Sequence, residues 1–492
     1  MRTAFIPQQS LFTTPINEIE FDVFSRHELV PILMALQYLY VNREETVRKI
    51  CKLIESDMVG DKSKISGRIG LTQWETLVLA SCRLGCNLDY DQLSDLSSNH
   101  IKLRAMMGID PLDLKRYPKS TIHDNICSLS AQTIDAITDL IVREGHSLRP
   151  NALDKVRGDS YVLQKNIHYP TDRNLLLDGI RKVIELSYNL ANENNLPGWR
   201  QHEYLKRKAR EHKRAIDRTS KRRGKNKEDQ MKIEYENMIE YSETIAEKGV
   251  DTIKQYQAVR DQANPFVQQK SDEIVSSLLH FIGGTDYVAS LARRRVIEGE
   301  KIANGEKIFS LFETDTELIN RGKEPNPIEF GHRIFLIQDS AGFIIYGSAM
   351  GRGATDDKVL IEVMRSLQNR FNGKIGIATF DKGFWSKNNF DELSKIVDTP
   401  VLPKKGKRSE SEAEREGTKV FGQSRKWHSG VESAIHALTK GNGLDVCRDQ
   451  GMSGYERYLA LGLLGRNLQT LGTILLEKER ERKRKQRLQA LI

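Results

Sequence analysis

Apolar side chains recur at helical spacing through the first third of the chain. Leu29, Leu33, Leu36 and Leu39 fall on one face of a helix predicted over residues 25–55. Ser25 followed by Glu28 has the spacing of a capping box at its start. Further helical stretches follow at residues 75–85, 90–96, 99–107 and from 118 onward. The pattern predicts an all-helical N-terminal domain over residues 1–150.

From residue 156 onward, short runs rich in Val, Ile, Tyr and Phe alternate with amphipathic helices. The runs predict strands at residues 159–164, 333–339, 343–350, 375–380 and 399–402, and the intervening patterns predict helices at 175–192, 357–370 and 386–396. Ser340-Ala341-Gly342 joins two of these strands as a hairpin turn would. We therefore predict an α/β fold with a mixed sheet.

A highly charged helical segment interrupts this pattern at residues 193–305. Residues 200–232 hold 14 Lys/Arg and five Asp/Glu, an excess that accounts for the whole net charge of +9. Such a patch is typical of a surface that binds a polyanion, although a solvated charged helix has the same composition. Further along, apolar residues predict packing against other helices: Tyr235, Met238, Ile239 and Ile245. We predict a helical, coiled-coil-like insertion.

The remaining composition narrows the class of protein. A hydrophobic content of 38% with 29% charged residues suits a soluble globular chain of more than one domain. No run approaches the roughly 18 apolar residues of a membrane span, and Met1 to Thr14 lacks the apolar core of a signal peptide. The five cysteines argue for a reducing compartment. Cys82 and Cys86 lack the second Cys/His pair of a zinc site.

Three acidic residues stand where phosphodiester chemistry would need them: Asp159, Asp381 and Glu432. Asp381 follows a predicted strand, where α/β folds place their sites, and Asp159 is also expected at a strand end. Glu432 borders a helical apolar stripe formed by Val431, Ala434, Ile435 and Leu438. Carboxylates are the ligands that Mg²⁺ prefers, and paired ions activate the attacking oxygen and stabilise the leaving one. We expect the three side chains to converge.

Other side chains compete for these roles. Asp172 and Asp339 are alternatives for the first carboxylate, although Asp172 resembles a helix cap and Asp339 begins a hairpin turn. Glu456 competes with Glu432, but its place at a helix start favours capping or an ion pair. Trp385 either packs in the core or stacks on a nucleic-acid base.

Short motifs are spread over residues 156–172, 310–385 and 427–470: Arg157-Gly158-Asp159, Asn166-Ile167-His168-Tyr169-Pro170-Thr171-Asp172, Glu313-Thr314-Asp315-Thr316-Glu317, Phe330-Gly331-His332, Asp381-Lys382-Gly383-Phe384, Gly430-Val431-Glu432, Gly454-Tyr455-Glu456-Arg457-Tyr458 and Gly465-Arg466-Asn467-Leu468. Together they resemble a bacterial insertion-sequence transposase of the DDE type, in particular the unclassified insertion sequences. The stretch from Trp74 to Gly108 is similar to the helical domain that precedes such catalytic cores. Some relatives carry Tyr, Arg and Lys around the glutamate, where this chain has Arg425, His428 and Thr439, with Lys440 one place later.

The resemblance implies an RNase H-like core in which Asp159, Asp381 and Glu432 hold two Mg²⁺ ions, with Mn²⁺ as a substitute. It implies DNA strand cleavage by water, followed by transfer of the freed 3′-hydroxyl strand to target DNA. The expected domains are a helix-turn-helix-like DNA-binding domain (1–150), a catalytic core in two parts (151–192 and 306–475), the charged insertion (193–305) and a basic C-terminal tail (476–492). The turn between Gly85 and Asp89 is the expected site of groove reading.

The partner expected on this interpretation is double-stranded DNA, as terminal inverted repeats and as target. The protein would act in the DNA complex as a homodimer or higher oligomer, in the bacterial cytoplasm at the nucleoid and without a membrane. The cations expected to contact DNA are Arg207, Lys208, Arg222, Arg223, Lys404, Lys405, Arg425 and Lys426. The alternative is a regulatory DNA-binding protein, derived from a transposase, that has lost catalysis.

Overall fold

The computed structural model describes residues 13–59, 70–322 and 327–489. The first 12 residues of the predicted N-terminal domain and the last three of the predicted tail lie outside this range. The chain forms two compact units. The first contains residues 1–165 and 331–492, and the second contains residues 166–330.

A mixed sheet of seven strands confirms the predicted α/β class. Its order is β2-β3-β1-β5-β6, with β4 paired to β3 and β7 paired to β1. β3 runs antiparallel to β1 and β4, whereas β5 and β6 run parallel to β1. The strands are β1 (Lys155–Lys165), β2 (Glu317–Asn320), β3 (Ile328–Asp339), β4 (Ile344–Ala349), β5 (Ile377–Thr379), β6 (Thr399–Val401) and β7 (Val446–Cys447).

Thirteen helices of the first unit, within the described residues, surround or support this sheet. Seven precede it: α1 (Leu29–Asn42), α2 (Glu44–Val59), α3 (Gln73–Gly85), α4 (Tyr90–Asn99), α5 (Ile101–Met106), α6 (Lys119–Cys127) and α7 (Ala131–Leu148). The other six follow residues 166–330, which contain α8 to α11. They are α12 (Asp356–Arg370), α13 (Lys387–Ile396), α14 (Glu410–Gly417), α15 (Lys419–His428), α16 (Gly430–His436) and α17 (Gly451–Gln489).

The long helix α17 is the centre of the first unit, where it packs against α1, α3, α7 and β4. An 18-residue window of this helix has a mean hydropathy of 1.3, and 78% of the window is buried. By length and composition alone this helix is long and apolar enough to cross a membrane, although polar residues such as Arg466 and Asn467 interrupt its apolar sequence. A mostly buried core helix passes the same test.

The N-terminal helices differ from the prediction in two respects. Residues 25–55 form two helices, α1 and α2, and α1 begins after Glu28 with no side-chain cap, so the predicted capping box is absent. The region 1–150 is also not a separate unit, because α1, α3 and α7 supply the apolar surface that buries α17. An isolated fragment of these residues would expose that surface to water.

In the described part of the second unit there are four α-helices: α8 (Asp172–Glu193), α9 (His202–Lys221), α10 (Lys227–Val259) and α11 (Pro265–Ala292). The insertion is helical as predicted, and Tyr235, Met238, Ile239 and Ile245 are buried in its core. It is a bundle rather than a coiled-coil arm, because α8 packs against α9, α10 and α11. The structural boundaries, 166 and 330, therefore differ from the predicted 193 and 305.

Candidate active site

The parallel pairing of β1 with β5 brings two of the predicted acidic residues to neighbouring strands. Val156 pairs with Ala378 and Arg157 with Thr379. Continuing this register by two residues brings Asp159 level with Asp381. Asp381 caps a short 3₁₀ turn directly after β5, so its predicted place beyond a strand end is confirmed.

Asp159 was expected at a strand end, and this prediction is wrong. It is the fifth residue of the 11-residue strand β1, and it pairs with Leu336 of β3. The strand that ends near this level is the neighbouring β5. Asp381 therefore lies just past the end of the short strand β5, whereas Asp159 lies within the longer strand β1.

Gly158 and Phe380, which precede the two aspartates, are in direct contact. A Cβ atom added at Gly158 would lie 2.6 Å from Cε1 of Phe380, a side chain that is fully buried. Only glycine leaves room for this ring against the backbone of β1. The contact holds the backbones of residues 158 and 380 together, and with them the positions of Asp159 and Asp381.

The helix that carries Glu432 is anchored on the same part of the sheet. Arg157 donates from Nη1 to the carbonyl oxygen of Trp427 at 2.8 Å, and from Nε and Nη2 to Oε1 of Gln338 at 3.0 and 2.7 Å. A Cβ atom at Gly430 would lie 2.1 Å from Nη1 of Arg157. The first turn of α16 thus contacts a residue two positions before Asp159, and Glu432 stands two positions after Gly430.

His428 joins the end of α15 to β5. Its Nδ1 is hydrogen-bonded to Oγ1 of Thr379 at 3.1 Å, and Arg425 donates from Nη1 to the carbonyl oxygen of Phe380 at 3.3 Å. Thr379 and Phe380 directly precede Asp381. Each of the three predicted residues therefore lies one or two positions from a contact between β1, β5 and the α15–α16 segment.

The carboxylates are held to different degrees. Oδ1 of Asp159 accepts from the backbone N–H of Ser160, and Oδ1 of Asp381 accepts from that of Gly383, both at 2.7 Å. Glu432 is exposed on α16. Among the described residues, no three His, Cys, Asp or Glu side chains are arranged so that they could hold a metal ion. The assignment of these three residues as metal ligands stays a prediction.

A fourth carboxylate, which sequence reasoning missed, faces Asp381. The Cβ position of Gly383 would lie 2.9 Å from Oδ1 of Asp381 and 3.3 Å from Oδ2 of Asp356. Oδ1 of Asp356 is buried and has no hydrogen-bond partner among the described residues. The sequence signal was weak, because an acidic residue in the first turn of a helix, here α12, is common for dipole reasons alone.

The competing carboxylates have structural roles. Asp339 is fully buried; it lies 2.7 Å from Nε2 of His146 and accepts two backbone N–H bonds of the hairpin turn. Burial raises the pKa of this carboxyl. In the second unit, Asp172 accepts from Nε of Arg295 at 2.7 Å. Glu456 lies on α17, where its charge adds to burial in raising the pKa of Asp135 to about 6.

The cations predicted to contact DNA divide into exposed and engaged groups. Five are exposed: Lys208, Arg222, Arg223, Lys405 and Lys426. Arg207 is also exposed and lies 3.9 Å from Glu211. Lys404 is held at 2.6 Å by Glu412 and lies over the ring of Trp385, which also contacts Phe390. Lys404 and Arg425, which is turned toward Phe380, are positioned to support the fold more than to meet a ligand.

The predicted recognition turn, residues 85–89, is hydrogen-bonded to residues 442–448, although Asp89 itself is exposed. Oδ1 of Asn87 accepts from Arg448 at 2.9 Å, and Nδ2 of Asn442 donates to the carbonyl oxygen of Leu84 at 3.1 Å. Every residue of α3 is buried. The exposed residues of α4 are acidic or neutral: Asp91, Gln92, Asp95 and Asn99. A helix without a cation does not suit a groove lined by phosphates.

Comparison of the chain with protein-family models, curated proteins and solved structures gave no match.

The free energy of unfolding should decrease at acidic pH, because His428 must gain a proton that the folded state does not favour. Burial, then the charge of Arg425, lowers the pKa of His428 from 6.5 to about 4, against the opposing influence of Asp381. The unfolded chain therefore binds a proton below pH 6.5 while the folded chain does not, so stability is full above pH 6.5 and declines toward pH 4. The loss is up to about 3 kcal/mol. Urea unfolding at several pH values should show a shallower decline for His428→Gln; parallel declines would contradict the assignment.

Replacing Gly158 by alanine should destabilise the sheet. The new methyl group would overlap the buried ring of Phe380, and overpacking of this kind costs about 1–3 kcal/mol. Gly422→Ala on α15 is the matched control, because nothing lies within 4 Å of its Cβ position and alanine favours helix. Urea denaturation should show a lower midpoint for Gly158→Ala and an equal or higher one for Gly422→Ala. Equal midpoints for both variants would mean that Phe380 moves aside without cost.

Proposed function

We propose that this protein is a DNA transposase of the DDE type, which cleaves DNA at the ends of an insertion sequence and transfers the freed 3′-hydroxyl strand to target DNA. The observation that carries the proposal is the convergence of three backbone segments. Asp159 lies on β1 and Asp381 lies just past the end of its parallel neighbour β5, and the first turn of α16, with Glu432, is anchored on Arg157. Three separate motifs of the resemblance thereby lie on segments that contact one another, which supports the proposal.

The mixed sheet supports an RNase H-like core. Its first strand is central, one neighbour is antiparallel and the other is parallel, and the acidic residues lie on the central strand and just past its parallel neighbour. A helix that packs on the central strand carries the third. The core would then be built from the two sequence segments that precede and follow residues 166–330 along the chain.

The residues present fit Mg²⁺ by their donor chemistry, because all are hard oxygen ligands. Asp159, Asp381 and Glu432 would hold the ions, and Asp356, whose Oδ2 lies on the side of Gly383 and whose Oδ1 is buried without a hydrogen-bond partner among the described residues, would be the nearest further carboxylate. When bound, such ions activate a water or hydroxyl oxygen and stabilise the departing one. Arg157, His428 and Gly430 are positioning residues, since they fix the segments that carry the carboxylates.

The exposed cations supply the grip on the DNA backbone. On α9 they form a stripe of exposed side chains on one face, and Arg222 and Arg223 extend it into the following loop. Contacts of this type hold DNA in place without reading its sequence. The proposal does not assign the reading of the terminal repeats to α4, because the exposed face of this helix carries no cation.

The proposal is tested with DNA that carries the gene's own flanking ends. The full-length protein should nick or cut these ends in the presence of Mg²⁺ or Mn²⁺, and should leave a scrambled duplex of equal length intact. Joining of the freed 3′ end to a second duplex is the further step to measure. If the protein bound these ends but did not cleave them with either Mg²⁺ or Mn²⁺ present, the proposal that it is a transposase would be wrong.

That negative outcome would support the second candidate, a DNA-binding regulatory protein without catalysis. One observation favours it: the three carboxylates are not arranged to hold a metal in the described residues. The two candidates share the exposed cations and differ only in whether the acidic residues act. Mg²⁺-dependent cleavage that is lost in Glu432→Gln, but kept in the exposed control Glu410→Gln, separates them.

A further inference from the structure

A cavity of about 540 Å³ lies within the second unit, among residues that the candidate active site does not use. Part of its wall is the motif Tyr169-Pro170-Thr171-Asp172, which the sequence analysis singled out without a role. Its volume falls in the roughly 300–1,000 Å³ range of small-molecule sites. The deeper wall is apolar, with Leu175, Val288 and Phe309 buried.

Three aromatic rings follow one another along one side of this cavity. Tyr169 meets Phe330 edge to face with ring centroids 5.7 Å apart, and Phe330 meets Phe309 at 5.5 Å. Phe309 is buried, whereas Tyr169 is 66% exposed. An exposed ring that is braced by two others is a ready surface for a planar aromatic group.

Cationic side chains line the cavity beside these rings. Arg173, Arg295 and Lys307 contribute three positive charges against one lining carboxylate, Asp172. Arg295 donates to Asp172 at 2.7 Å and is about half exposed, and Arg173 lies 2.7 Å from Asp217, which does not line the cavity. Ion pairs of this exposure are weak enough for a phosphate to share their cations.

The start of α8, with Thr171 and Asp172, lines the same cavity. Oγ1 of Thr171, the residue before the helix, is buried and has no hydrogen-bond partner among the described residues. It does not cap the helix by its side chain. The start of a 22-residue helix also offers backbone N–H groups and the positive end of its dipole to an anion.

We propose that this cavity binds a single unstacked nucleotide, with the base on Tyr169 and the phosphate at Arg295, Lys307 and the start of α8. The combination of an exposed ring, an apolar wall and adjacent cations fits an anionic aromatic ligand and neither a simple anion nor an apolar molecule. The identification of the source as a DNA strand rests on the proposed function. A free nucleotide has the same chemistry.

The first experiment measures the affinity of the full-length protein for a labelled single-stranded oligonucleotide of mixed sequence by fluorescence anisotropy. Tyr169→Ala should weaken binding roughly 5- to 100-fold, the effect of losing one stacked base. Tyr169→Phe keeps the ring and should bind like the wild type. Phe266→Ala is the control, because this ring is 77% exposed on α11 and does not line the cavity.

Arg295→Gln tests the charged half of the site with a second variant. It should weaken binding of the same oligonucleotide and lower the slope of log affinity against log salt by about 0.7, the value for one phosphate of a single strand. Unchanged binding in either Tyr169→Ala or Arg295→Gln, or an equal loss in Phe266→Ala, would overturn the proposal. Thermal unfolding of each variant excludes misfolding as the cause, and Tyr169→Phe remains informative if Tyr169→Ala is unstable.

The source of the nucleotide is decided by competition. Displacement of the oligonucleotide by free dAMP supports a site for the mononucleotide, whereas displacement only by unlabelled strand supports a nucleotide held within DNA. If Tyr169→Ala weakened the binding of a duplex of the same sequence as much as that of the single strand, the proposal that the cavity binds an unstacked base would be wrong. If the wild type cleaves no DNA end but keeps Tyr169-dependent binding, the transposase proposal fails and the nucleotide site stands.

Discussion

Asp381→Asn is expected to abolish strand cleavage and to leave DNA binding largely intact. The change removes one negative charge just past the end of β5, the parallel neighbour of the strand that carries Asp159. It keeps the size of the side chain, and the amide oxygen can still accept from the backbone N–H of Gly383, so the 3₁₀ turn after β5 should persist. Loss of a carboxylate that neutralises metal charge is worth several kcal/mol in the transition state, or about 10³-fold in rate.

The measurement is the rate of Mg²⁺-dependent cleavage of the flanking ends, with gel-shift affinity measured in parallel. Asp391→Asn is the matched control, because Asp391 is exposed on α13 and lies away from the contacts that hold the three segments. Asp356→Asn extends the series to the carboxylate beside Asp381. Cleavage by Asp381→Asn at a rate near that of the wild type would remove this residue from the catalytic group, whatever the outcome for Asp356.

Neutralising the exposed face of α9 is expected to produce the largest loss of DNA affinity. Its exposed stripe holds four cations at helical spacing, Arg207, Arg214, Arg218 and Lys221, with Glu211 among them. Changing all four to glutamine should lower the slope of log affinity against log salt by about 0.9 for each phosphate that is no longer neutralised. The affinity should therefore fall most at low salt and converge with that of the wild type at high salt.

A substitution is preferable here to deletion of residues 200–232, because α9 buries Ala209 and Ile216 in the bundle. Removing the helix would expose that core and confuse folding with binding. Exchanging the three arginines of the stripe for lysine is the control, since it retains the charge and should retain the slope. If the glutamine variant keeps both affinity and slope, the bundle has a structural or oligomer role and DNA is held elsewhere.

Much of the fold was predictable because its signals are local. Alternation of short apolar runs with amphipathic helices fixed most strands and helices of residues 155–401 to within a few positions, as for α12 and α13. The burial of Tyr235 and Met238 also followed from periodicity. Periodicity reports which face of a helix is apolar and not which partner covers it. For that reason α8 was assigned to the sheet, although its apolar face packs in the bundle.

The candidate active site was likewise predictable only in part from the sequence. The sequence by itself determined the residue types: three carboxylates in separate motifs, each beside a strand or on an apolar-striped helix. Only the tertiary structure decided that Gly158 contacts Phe380, that Gly430 contacts Arg157, and that Asp356 faces Asp381. It also hydrogen-bonded the Gly85–Asp89 loop to residues 442–448. These are contacts between segments far apart in the chain, which register and packing set and local propensity does not encode.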